Sequence, residues 1–253
     1  MNAFLMGEAE RHPAGLRRMA AAVCLTALGV GSSYPCAAQT SRSDPTDVQS
    51  RVGTQVTLDL PDKWLASFQY QARMVDDLSR YRGSYLYADV ERGLGDHLAA
   101  SADYRLALVD RGTYHRIGVG VEASGKIGRA KWSFRPRLQF QRQHFDGDDD
   151  FGSDDDVYLR TRAALKYTLS ERWAVTGSVE PYFKFGADYP VDNWKNTLTL
   201  EYELTKGVKL DGFYAFRPDY GKSYNRTYHI VGTELEITVK VPRRTAAKAG
   251  QEP

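Results

Sequence analysis

Trp132-Ser-Phe-Arg-Pro-Arg-Leu-Gln-Phe-Gln-Arg-Gln143 decides the fold. In an extended chain Trp132, Phe134, Leu138 and Phe140 fall on one face, and Ser133, Arg135, Arg137, Gln139, Gln141 and Gln143 on the other. Successive side chains of a strand point to opposite faces, so a period of two marks a sheet whose faces meet different solvents. Here one solvent accepts large apolar and aromatic groups, and the other accepts guanidinium and amide groups. The alternation recurs in segments of about ten residues from 52 to 241, separated by turns and with no convincing helix between them. This predicts an all-β chain folded as an antiparallel up-and-down transmembrane β-barrel of about ten to twelve strands.

Working outward from 132–143, the candidate strands run from 52–60 to 228–241, and eleven can be counted. A barrel with both chain ends on the periplasmic side needs an even number. The first segment is then either a stray edge or the partner of a further strand, which leaves ten or twelve. Connections alternate in length. Those at 60–63, 93–96, 124–130, 170–171 and 205–207 are short, and those at 76–82, 109–113, 144–156, 186–194 and 218–227 are longer. Short periplasmic turns and longer outer loops fix the expected orientation. Trp64, Trp132 and Trp173 each open a strand after a short turn, on its apolar face, as a periplasmic aromatic girdle requires; Trp194, Tyr214 and Phe216 suit the outer girdle. Tryptophan in a soluble β-sandwich core is the competing reading. The spacing of Tyr167–Trp173 echoes that of Tyr202–Val208, as hairpin units of a meander do.

The first 38 residues read as a signal peptide. Arg17 and Arg18 precede the apolar stretch Met19–Val30, and Cys36-Ala37-Ala38 offers small residues for cleavage ahead of Gln39. Residues 39–51 form a polar, flexible lead-in, 52–241 the barrel and 242–253 a basic tail. Both cysteines, Cys24 and Cys36, lie in the leader, so no thiol chemistry or disulfide is expected in the mature chain. A formal net charge of +2 is too balanced to point to nucleic acid.

The inward charges are the candidate pore lining. Arg135, Arg137, Arg160 and Arg162 fall side by side on one wall; Glu180, Glu201, Glu203, Asp211, Glu234 and Glu236 fall on the adjoining one. A positive stripe beside a negative one sets selectivity in a pore, or else fills a narrow barrel with a salt-bridged plug. The acidic run 146–156 lacks the ligand spacing of a helix-loop-helix calcium site and reads as a solvated loop. His97, His115, His144 and His229 are dispersed at strand ends without metal or hydrolase spacing. No catalytic, cofactor or metal residue is assigned, and no enzyme is expected.

The residues Ala102-Asp-Tyr-Arg105, Tyr114-His-Arg116, Arg135-Pro-Arg-Leu-Gln-Phe-Gln141, Tyr158-Leu-Arg-Thr-Arg162, Glu180-Pro-Tyr-Phe183 and Tyr228-His229, in that order, carry a family resemblance. The chain resembles the outer-membrane β-barrel family of Gram-negative bacteria filed as a domain of unknown function. That resemblance implies a barrel with an outer-membrane address, and no reaction. One departure is the end of the last strand. Many such barrels finish on an aromatic residue that assists assembly, whereas this one reaches Val241 and continues into the basic tail. The expectation is a monomeric, narrow porin-like channel for small polar or anionic solutes such as acidic sugars, in contact with outer-membrane lipid and lipopolysaccharide. The alternative is a non-conducting structural or surface-interaction barrel acting through its outer loops.

Overall fold

The computed structural model describes residues 46–109, 112–145, 155–187, 191–220 and 226–242. They form eleven strands: β1 (Thr46–Leu60), β2 (Trp64–Val75), β3 (Arg80–Gly93), β4 (Leu98–Val109), β5 (Gly112–Ile127), β6 (Ala130–Phe145), β7 (Asp155–Thr168), β8 (Trp173–Lys184), β9 (Val191–Thr205), β10 (Val208–Asp219) and β11 (Arg226–Lys240). Each strand pairs antiparallel with the next, and β11 returns to β1 to close the barrel. No described helix is long and apolar enough to cross a membrane.

The closing pair is parallel, in register from Thr46↔Thr227 to Asp59↔Lys240. The count of eleven lies within the expected range, but the even parity does not hold. The first segment is no stray edge. It begins at Thr46 rather than 52, and Asp47, Gln49 and Arg51 continue its inward face. An odd count makes the first and last strands run the same way. Parallel ladders are slightly weaker per residue than antiparallel ones, but two unpaired edges in a lipid environment would cost far more.

The connections at 61–63, 94–97, 128–129, 169–172 and 206–207 gather at one end. The opposite end, here the long-loop end, carries the others. One of these differs from expectation: only two residues separate Val109 from Gly112, because β4 and β5 continue almost to the turn. The β2–β3 turn is built differently. Asp76, Asp77 and Leu78 hold φ of 53°, 53° and 66°, a left-handed run that non-glycine residues adopt only when their surroundings impose it. The surroundings are the start of β1. Asp47 Oδ1 accepts from Asp77 N at 2.9 Å, Asp77 Oδ1 accepts from Val48 N at 3.0 Å, and Arg80 Nε donates to Asp76 Oδ2 at 2.6 Å.

The two faces of the wall follow the alternation. Val52, Phe68, Leu86, Leu108, Ile117, Phe140, Leu165, Leu198, Leu210 and Val231 all stand exposed on the outside. A continuous apolar belt of that kind marks a surface made for a partner or a lipid phase. Trp64, Trp132 and Trp173 lie on it at the short-turn end, with Trp173 tilted against Tyr202 at a ring separation of 4.5 Å. Trp194 lies at the long-loop end, its Nε1 donating to Asn196 Oδ1 at 3.0 Å.

Inside, space is made by small residues. Gly118 leaves room for the Asp103 carboxylate and Gly232 for the Phe213 ring; a Cβ at either position would overlap those groups.

Candidate functional site

The lumen holds a cavity of about 920 Å³ to which all eleven strands contribute. It extends from Asp47, Asp76, Arg80 and Asp192 at the long-loop end down to Arg135, Asp211 and Glu236. The period-two alternation places these groups: every second residue of each strand must face inward, and nearly all of those residues are polar.

A collar of cations surrounds the cavity. Arg51, Arg73, Arg105, Arg116, Arg160, Lys195 and Arg217 come from seven different strands. Tyrosine faces, more than carboxylates, hold them. The Arg73 guanidinium sits 3.6 Å from the centre of the Tyr85 ring, Arg217 4.3 Å from Tyr228 and Arg160 4.5 Å from Tyr182. Arg105 and Arg116 both approach Tyr87, at 5.9 and 5.7 Å. A planar guanidinium stacked on a ring keeps its in-plane N–H edge for hydrogen bonds, as an ammonium cannot. Neutral acceptors take some of these edges: Gln71 accepts from Arg73 at 2.8 Å and Gln141 from Arg105 at 3.2 Å.

Carboxylates do meet three members. Arg160 reaches Glu180 at 2.8 Å, Arg217 reaches Asp219 at 3.1 Å, and Arg116 reaches Asp103 at 3.3 Å. Arg51, Arg73, Arg105, Arg135, Arg162 and Lys195 have no carboxylate within ion-pair distance among the described residues. The cavity wall therefore carries cationic charge that its own acids do not match pair by pair.

The expected lining residues all take inward positions. Arg135 is the register partner of Arg162, and Arg137 of Arg160. Arg135, Arg160, Arg162, Glu180, Asp211, Glu234 and Glu236 line the cavity. Arg137, Glu201 and Glu203 do not. Arg137 is drawn to Asp103 at 2.8 Å and to Asp89 at 3.8 Å. Glu201 bonds Lys166 and accepts from Thr176 Oγ1 at 2.6 Å. Glu203 lies opposite Lys209 near the short-turn end. The acids are partly engaged too: Gln69 donates to Glu234, and Lys209 approaches Glu236 at 3.9 Å.

Of the collar, only Arg160 stands out from the sequence as a lining residue. Arg51 lies in the stretch read as lead-in, and Lys195 at the edge of its segment. The available signal was parity: Tyr85, Tyr87, Tyr158, Tyr182 and Tyr228 share the inward register of the arginines. The acidic run falls largely at 146–154, outside the described residues, as does the side chain of His144. Its described end is tied back to the barrel, with Lys184 at 2.6 Å from Asp156 and Arg142 at 3.4 Å from Asp155.

An apolar belt outside a charged, tyrosine-braced interior defines a porin-like β-barrel. Among solved structures the fold is similar to a NanC porin in a rhombohedral crystal form, with a TM-score of 0.50 and 14% identity over 76% of this chain and 99% of that one. Also similar are a bacterial polysaccharide outer membrane secretin, with a TM-score of 0.41 and 7% identity over 69% and 72% of the two chains, and an anion-selective porin from Comamonas acidovorans, with a TM-score of 0.35 and 16% identity over 68% and 53%. No curated protein matches the chain. The chain belongs to the family described as protein of unknown function (DUF2490), which it matches over residues 52–228.

Proposed function

We propose that the protein is a narrow, non-enzymatic outer-membrane channel whose lumen favours small anionic solutes. The observation that carries this reading is the collar: Arg51, Arg73, Arg105 and Lys195 face a cavity of about 920 Å³ with no carboxylate in ion-pair reach among the described residues. Cations fixed on a low-dielectric wall attract anions and repel cations, and a charged ring of this kind sets selectivity. The apolar belt supports the membrane address, and the leader expected at residues 1–38 supports export.

A second reading is supported by the floor of the cavity. Arg116, Asp103 and Arg137 form a bridged triad, with Arg137 to Asp103 at 2.8 Å, and Lys166 bonds Glu201 on the other wall. A lumen filled by such pairs conducts nothing.

Conductance separates the two. Refolded protein inserted in a planar bilayer under a salt gradient should give discrete steps with a reversal potential on the anion side. Glutamine at Arg51, Arg73, Arg105 and Lys195 together should move that potential to zero or past it. Discrete steps with no such shift would remove the collar from selectivity. Silence from inserted protein would favour the plugged barrel.

A further inference from the structure

Glu180 enters the lumen from β8 with a cation across from it on either side. Lys195 of β9 is its register partner. On the other side the register runs from Arg160↔Tyr182 to Ala163↔Val179, which sets Arg162 of β7 across from Glu180. Arg135 of β6 is in turn the register partner of Arg162. All four groups line the cavity.

Proximity alone would pair Glu180 with its two flanking cations, and the structure pairs it elsewhere. One carboxylate oxygen accepts from Arg160 Nη2 at 2.8 Å, and the other from the Tyr182 hydroxyl at 3.1 Å. Arg160 also donates to Gln139 at 2.9 Å and lies over the Tyr182 ring at 4.5 Å. Arg160 and Glu180 are both buried and neutralise one another. Arg162 and Lys195 are left over. Among the described residues their side chains make no hydrogen bond and no ion pair, and neither does Arg135. Like charges directly opposite one another, as Arg135 and Arg162 are, destabilise a sheet. A bound anion offsets that cost.

The pattern along this wall is cation, neutral pair, cation. Adjacent strands lie about 4.8 Å apart, so Arg162 and Lys195 leave the wall about 10 Å apart. A charge-assisted hydrogen bond of about 2.8 Å at each end leaves about 4 Å between the two anionic groups they could hold. Anionic charge in the middle would face the Glu180 carboxylate. An uncharged spacer there faces only the neutral pair.

We propose that Arg162 and Lys195 bind the two ends of a small dianion whose oxyanion groups are separated by a short aliphatic spacer. Arg135 strengthens the Arg162 end, and the Arg160–Glu180 pair keeps the middle neutral. The proposal rests on the anion-favouring reading of the lumen and names the class of solute within it.

The test is calorimetric titration of the refolded full barrel in nonionic detergent micelles. Ionic strength is held constant, because mobile salt screens such charges. Three probes are compared: glutarate, with separated charges; sulfate, with both charges in one compact group; and butyrate, with a single charged end. Glutarate is expected to bind about tenfold tighter than either of the others, the worth of one further charge-assisted hydrogen bond. Arg162→Gln and Lys195→Gln should each weaken glutarate about tenfold and bring it level with butyrate. Glu180→Gln releases the Arg160 charge in the middle and should raise sulfate to the affinity of glutarate, a gain that misfolding cannot produce. Sulfate or butyrate binding the wild-type barrel as tightly as glutarate would overturn the proposal. So would the absence of saturable glutarate binding, or folded Gln variants that bind like wild type. Heat-modifiable gel migration monitors folding, and the three-probe comparison on wild type decides the matter where a variant does not fold. A barrel that is silent in the bilayer yet prefers glutarate would keep the site and lose the channel. An anion-selective channel without that preference would do the opposite.

Discussion

Arg160 and Arg73 are held by different means, and their variants should differ accordingly. Arg160 is about 9% exposed and is fixed on three sides, by Glu180 at 2.8 Å, by Gln139 at 2.9 Å and by the Tyr182 face. Glu180→Gln leaves that guanidinium without its charge partner. It should lower stability by about 2 kcal/mol, the worth of a hydrogen bond to a charged group, read as a shift in the thermal unfolding midpoint in detergent. The same variant should raise anion preference, because the collar gains an unmatched cation. Arg73 meets the Tyr85 ring at 3.6 Å. Arg73→Lys keeps the charge but not the plane, so it should behave like a loss variant in ion selectivity rather than a conservative one; equal reversal potentials for Arg73→Lys and wild type would contradict that. At this scale the sequence was half legible. Parity told which side chains enter the lumen, since the backbone alone decides it. Which arginines are neutralised was not legible. Arg116 and Arg137 both converge on Asp103, an arrangement set by cross-strand register and side-chain reach that alternation does not encode.

At the scale of strands and turns, the long-loop end of β1 is secured by two aspartates, one from β1 and one from the β2–β3 turn. Asp47 and Asp77 accept reciprocally from each other's strand ends, at 2.9 and 3.0 Å. Asp77→Ala should cost about 1 kcal/mol, as the loss of a capping carboxylate does elsewhere, and should speed amide exchange at Val48 while sparing mid-barrel amides. The seam is testable directly. Val56 and Ile237 are parallel register partners on the outer face, at a spacing a disulfide can bridge. Val56→Cys with Ile237→Cys should cross-link on oxidation and resist heat. An all-antiparallel barrel would hold these residues apart and give no cross-link. The sequence marked ten of the eleven strands with small boundary errors, because their outer faces are apolar throughout. The start of β1 was missed because its first residues, Thr46–Arg51, are almost all polar, and polar alternation looks like linker until a partner strand is known.

For the whole molecule, an odd strand number is allowed because closure requires only that the last free edge meet the first; the outer ends of β1 and β11 need not share one side. An edge composed of backbone groups accepts a parallel partner as well as an antiparallel one.

Oddness makes the polypeptide a net traveller. It enters the wall at the long-loop rim with Thr46 and leaves at the opposite rim with Lys240. A short epitope placed directly ahead of Thr46 and another directly after Lys240 should therefore report from different compartments. On intact cells an antibody should reach the first and need permeabilisation to reach the second. Equal access to both would mean that the ring closes some other way. A wall whose first strand starts at one rim and whose last strand ends at the other offers fusion points ahead of Thr46 and after Lys240 on opposite sides of the barrier, a freedom that an even-stranded barrel lacks.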